Sequence, residues 1–132
     1  MSNAGNSGER CFSPESYRNI SAGIIDIARE VADSDFQQRI WIQASEPGVI
    51  SSYEEGVLGS LLDDYDVEYA VDHGASYGFT QNQIEKLRSF VTQLTHFADQ
   101  HPGAVSRDVV GTPEWIRVQR AAADFVATID DN

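Results

Sequence analysis

Four short stretches of this chain carry signals that start helices, and each is followed by apolar residues at steps of three and four. Ser13-Pro14-Glu15 and Thr112-Pro113-Glu114 place a capping hydroxyl before a proline, whose fixed φ suits the first helical position. Ser52-Tyr53-Glu54-Glu55 and Thr80-Gln81-Asn82-Gln83 have the form of a capping box, in which hydroxyl and third-residue side chain satisfy each other's backbone donors. Behind them stand four apolar faces: Tyr17, Ile20, Ile24, Ile27, Ala28 and Val31; then Val57, Leu58, Leu61 and Leu62; then Ile84, Leu87, Val91, Leu94 and Ala98; and Trp115, Val118, Ala122, Phe125, Val126 and Ile129. Strands would alternate with period two, and no convincing alternation is present. The pattern predicts an all-α fold, a single-domain bundle of about five amphipathic helices with the 81–100 helix and the C-terminal helix at its centre. Residues 13–130 form the predicted domain, and the Ser/Asn/Gly-rich residues 1–12 a flexible leader.

Two places resist the simple pattern. Ile40-Trp41-Ile42 reads equally as a brief strand or as the continuation of a short helix capped by Ser34 or Asp35. Farther on, Asp63, Asp64 and Asp66 would burden the negative end of the helix that begins at Ser52, at about 0.3–1 kcal/mol each. A break at Asp63-Asp64 removes the conflict, with the first helix stopping near Leu62 and an Asp capping a second that carries Tyr65, Val67, Tyr69, Ala70 and Val71.

Charge narrows the function classes. The formal net charge is −12, and between Arg39 and Lys86 there is neither Lys nor Arg, while Glu46, Glu54, Glu55, Asp63, Asp64, Asp66, Glu68, Asp72 and Glu85 lie in that window. Nucleic acid is not an expected partner, since affinity for phosphate is built from Lys and Arg, and an anionic membrane is disfavoured on the same ground. The lone Cys11, the absence of an apolar core in MSNAGNSGER and the absence of an apolar run of spanning length predict a cytoplasmic protein without disulfides.

No catalytic motif or cofactor signature accompanies the acids, so neither catalytic nor metal-binding residues nor any cofactor are expected. His96 and His101 are five apart, about 140° around a helix, and lack the i, i+4 spacing of a helical zinc pair. Asp63, Asp64 and Asp66 fail the calcium-loop pattern, which needs a central Gly and a terminal Glu. No Ser occupies a nucleophile elbow, and Gly74 to Gly78 lacks the Lys of a phosphate loop. What stands out is an acidic stretch interleaved with aromatic side chains. Asp63, Asp64, Tyr65, Asp66, Glu68, Tyr69 and Asp72 are the expected partner-binding residues, with Tyr53 and Trp41 as an extension of the patch. An acidic rim around tyrosines suits a basic protein, because complementary fields steer encounter and tyrosine gives contact area at little entropic cost.

In Ser52-Tyr53-Glu54-Glu55, Leu61-Leu62-Asp63-Asp64-Tyr65-Asp66 and Pro113-Glu114-Trp115-Ile116 the chain resembles the immunity proteins of bacterial contact-dependent and related polymorphic toxin systems. The resemblance covers these three short segments, and it implies tight binding and neutralisation of a cognate toxin, commonly a nuclease with a basic cleft. Two other readings stand beside this one: a small metal-dependent hydrolase using Asp63, Asp64 and Asp66, and a dimerising helical regulatory module, with a homo-oligomer as a further assembly open to the chain.

Overall fold

A computed structural model describes residues 11–44, 46–48 and 51–131. Among them there is no strand, and the fold is the expected all-α domain. Helix α1 spans Pro14–Ala32 with Ser13 as its cap, the Ser13 hydroxyl accepting from the backbone of Ser16 at 3.1 Å. Asp33 then caps α2 (Ser34–Phe36), which passes directly into a wider-wound segment, π1 (Gln37–Ile42). This settles Ile40–Ile42 as helical. A second wide segment, π2 (Tyr53–Asp64), is followed by α3 (Val67–Asp72), a 3₁₀ turn (Gly74–Tyr77), α4 (Gln81–Gln100), α5 (Ser106–Val109) and α6 (Pro113–Asp130). Of the predicted leader, residues 1–10 lie outside the described residues; Cys11 is exposed, and Phe12 packs edge-on against Tyr17 with ring centroids 5.2 Å apart.

Helix α6 lies between α1 and α4 and makes the most extensive contacts of the fold with both. Its buried face, Trp115, Val118, Ala121, Ala122 and Phe125, meets Ile24, Ile27, Ala28 and Val31 of α1 and Leu87, Phe90, Val91, Leu94 and Phe97 of α4 in one continuous core. Burying each large side chain contributes about 1.5–3 kcal/mol against the entropy of ordering the chain. Trp115 is fully buried at the crossing of four elements, its ring 5.3 Å from Phe97, 5.4 Å from Tyr53 and 6.0 Å from Trp41.

The two wide segments have separate local reasons. In π1 the side chain of Gln37 is fully buried and uses its whole hydrogen-bonding capacity. Its amide nitrogen donates to the carbonyls of Glu30 and Val31 at 2.8 and 2.6 Å, and its oxygen accepts from the Trp115 indole at 2.9 Å and from Gln119 at 3.1 Å. One side chain thus closes the end of α1 and ties it to α6. In π2 the backbone bonds reach back five residues, as from Val57 to Ser52 and from Tyr65 to Ser60. That winding brings residues four apart onto one side, so Tyr53, Val57 and Leu61 are fully buried while Leu58 and Leu62 are only partly so.

The break after π2 differs from the sequence expectation. The helix continues through Asp64, and the chain turns at Tyr65–Asp66 rather than at Asp63-Asp64. Asp66 holds the cap position of α3 in a left-handed conformation, φ 48° and ψ 63°, and its side chain makes no capping hydrogen bond. Aspartate tolerates this region better than most residues, which lets the chain reverse without a glycine.

Candidate functional site

The acidic stretch is laid out along the end of π2 and the outside of α3. Asp63 and Asp64 are exposed on the last turn of π2, Asp66 is half-buried in the break, and Glu68 and Asp72, one helical turn apart on α3, are exposed. Tyr65 and Tyr69, which separate the acids in sequence, turn toward the domain and are half-buried. The Tyr65 ring lies over Gly23 of α1. Tyr69 stacks on His73 with centroids 4.0 Å apart and planes 16° apart, and meets Tyr77 edge-on at 6.5 Å. The acids therefore form the outer layer of the stretch, with the aromatic rings partly beneath them.

Tyr53 and Trp41 do not extend this patch. Both are buried in the core around Trp115, because the wide winding of π2 sets Tyr53 in line with Val57 and Leu61, and π1 turns Trp41 inward. The Tyr53 hydroxyl has no hydrogen-bond partner among the described residues, and burial, with the nearby charge of Glu54, pushes its pKa up to about 12. The base-free window is also less isolated in space than in sequence. Glu68 and Asp72 share a shallow groove of about 210 Å³ with Arg88 of α4, and Glu46 pairs with Arg39, which also meets Asp35 at 3.1 Å. Packing of α3 on α4 supplies Arg88, and no spacing rule within the window announces it.

Two further recesses carry polar side chains. Between α4 and α6, His96, His101, Glu114 and Arg117 line a cavity of about 310 Å³ floored by Phe97. The sequence reading set these histidines on different sides of a helix. His101 stands past the last turn of α4, at φ −129° and ψ 61°, so helical spacing no longer governs it, and its ring stacks on Phe97 at 4.4 Å. At the other end of π2, a groove of about 400 Å³ is lined by Trp41, Ile42, Ser52, Glu54, Val105 and Arg107. Among the described residues no three His, Cys, Asp or Glu side chains converge as a metal site, so Asp63, Asp64 and Asp66 are not arranged around a common cation.

No helix among the described residues is long and apolar enough to cross a membrane. Comparison of the chain with protein-family models, curated proteins and solved structures finds no match.

Proposed function

We propose that the protein is a non-catalytic binding module that captures a basic protein through the acidic surface formed by Asp63, Asp64, Asp66, Glu68 and Asp72. The observation that carries this reading is the position of Asp63 and Asp64. They stand exposed on the closing turn of π2, where unpaired carbonyls already concentrate negative charge, and no ion pair to either is formed among the described residues. Such placement lowers helix stability by about 0.3–1 kcal/mol per charge. Departures of this kind from local consistency concentrate at functional surfaces. The field of the surrounding acids favours a cationic partner and speeds encounter with it. Tyr65 and Tyr69, half-buried beside the charges, offer the apolar component of the contact.

In its specific form the proposal is neutralisation of a cognate bacterial toxin by occlusion of a basic surface, in keeping with the resemblance of the 52–55, 61–66 and 113–116 segments to immunity proteins. The metal-dependent hydrolase reading has no convergent ligand set among the described residues to support it.

The test compares the native chain with a variant in which Asp63, Asp64 and Asp66 become Asn and Glu68 becomes Gln. Co-purification from the native cell should yield a basic protein whose association weakens as salt rises, and the neutralised variant should lose it while remaining folded. Equal recovery by both forms, with the same salt dependence, refutes the proposal. The toxin form makes one more demand: the partner must arrest growth when produced alone, and co-production of this protein must restore it.

A further inference from the structure

The groove at the N-terminal end of π2 has a composition different from that of the acidic end. Its wall includes Ile42 and Val105, 39% and 37% exposed, two of the three large apolar residues that stand out to solvent among the described residues. Trp41 contributes to the floor, held in place by its indole, which donates to the Ser51 hydroxyl at 2.9 Å. Glu54 supplies a carboxylate. One of its oxygens, Oε1, is fixed by the backbone N–H and hydroxyl of Ser106 at 3.1 and 3.2 Å. The other carboxylate oxygen makes no hydrogen bond or ion pair among the described residues. An oriented carboxylate with aliphatic side chains beside it complements a side chain with a long apolar stem and a cationic head.

We infer that this groove is a receptor for one arginine side chain of the basic partner, with the guanidinium on the free oxygen of Glu54 and the stem against Ile42 and Val105. Arginine suits the site because its head keeps its charge at every working pH and is more weakly hydrated than an ammonium, so it loses less on entering a partly apolar groove. The inference rests on the proposed capture of a basic protein and adds a second contact at the opposite end of π2 from Asp63 and Asp64. Arg107 flanks the groove and opposes a cationic guest, which gives the site a signed internal control.

The experiment titrates the full chain with a blocked hexa-arginine peptide at low salt, following the methyl resonances of Ile42 and Val105, with a hexa-glutamate peptide as control. Hexa-arginine should move both methyl signals, and hexa-glutamate should move neither. Glu54→Gln keeps an acceptor for Ser106 and so keeps the fold. It should weaken the groove shifts about threefold to fivefold, the scale of one exposed ion pair, and Arg107→Ala should strengthen them about twofold. Groove shifts that are unchanged in Glu54→Gln overturn the inference. Binding confined to signals near Asp63 to Asp72 also overturns it while leaving the proposed function standing. No binding of hexa-arginine anywhere on the protein overturns both.

Discussion

The ring of Tyr65 fills the notch that Gly23 leaves on α1: a methyl group on Gly23 would lie 2.7 Å from the ring carbon Cε2. A glycine inside a helix ordinarily costs about 1 kcal/mol relative to alanine. Here the small residue is what allows the end of π2 to approach α1. Gly23→Ala should therefore destabilise the protein by about 1 kcal/mol despite the better helix former. In a Tyr65→Ala background the same change should become stabilising by about 0.5–1 kcal/mol. Urea denaturation of the four proteins of this cycle measures the reversal of sign, and equal effects in both backgrounds would falsify the contact.

Gln37 binds three elements through one amide. Gln37→Leu would leave the Val31 carbonyl and the Trp115 indole N–H without their buried partner, while the Glu30 carbonyl keeps the Asp33 backbone N–H. Each unsatisfied group costs about 1–3 kcal/mol. Partial rearrangement keeps the expected total loss at about 3–5 kcal/mol, read from the denaturation midpoint at constant slope.

Tyr53 offers the opposite sign. Its hydroxyl is buried without a partner among the described residues, so Tyr53→Phe should stabilise the fold by about 1 kcal/mol. The raised pKa gives a second readout. A phenol ordinarily titrates near pH 10, and in the folded state Tyr53 titrates at about 12. The contribution of neutral Tyr53 is fully present below the ordinary value and is lost as pH rises through the folded one. Stability should fall between about pH 10 and pH 12, and less so in Tyr53→Phe.

Glu30 links α1 to the segment before π2, accepting from the Ser51 hydroxyl at 2.6 Å while that hydroxyl accepts from Trp41. Burial pushes its carboxyl pKa up, the Ser51 hydrogen bond pulls it partly back, and the charge of Asp26 raises it further. A raised carboxyl pKa means that the folded state favours the protonated form. The associated stability is present below the ordinary glutamate value, about 4.3, and is lost as pH rises through the folded value. Glu30→Gln retains the acceptor without the charge and should be more stable than the native chain at pH 7. The advantage should disappear below about pH 4, which paired thermal melts at the two pH values check.

Asp63→Asn with Asp64→Asn should raise stability while weakening capture of a basic partner. The expected gain is about 0.3–1 kcal/mol for each charge removed from the closing turn of π2. A loss of stability instead would show that the two acids serve the fold.

The parts of the fold legible in the sequence are those governed by local rules. Ser13, Thr80 and Thr112 cap the helices they precede, and the faces behind them are buried wholly or in part. Where the winding widens, the reading based on 3.6 residues per turn loses its frame. It counted Leu58 and Leu62 equally with Val57 and Leu61, and it left Tyr53 on the surface, whereas a spacing of four determines the buried face of π2. The break moved from Asp63-Asp64 to Tyr65–Asp66 because the turn is made by a left-handed aspartate rather than by a capping carboxylate. Of the candidate site, the exposed acids were visible as a run of one sign. The inward turn of Tyr65 depends on Gly23, and the arrival of Arg88 depends on α4; both are tertiary facts with no local signature.

The place of α6 between α1 and α4 has a consequence for synthesis of the chain. Until the residues of α6 leave the ribosome, the apolar faces of α1 and α4 have no common surface to close on, because α6 makes the principal contacts with both. Cooperative folding of the bundle must then wait for α6, since the α1–α6 pairing joins segments distant in sequence and carries the loop-closure cost of such a contact. During that interval the nascent chain presents adhesive helices without their keystone, a state open to aggregation.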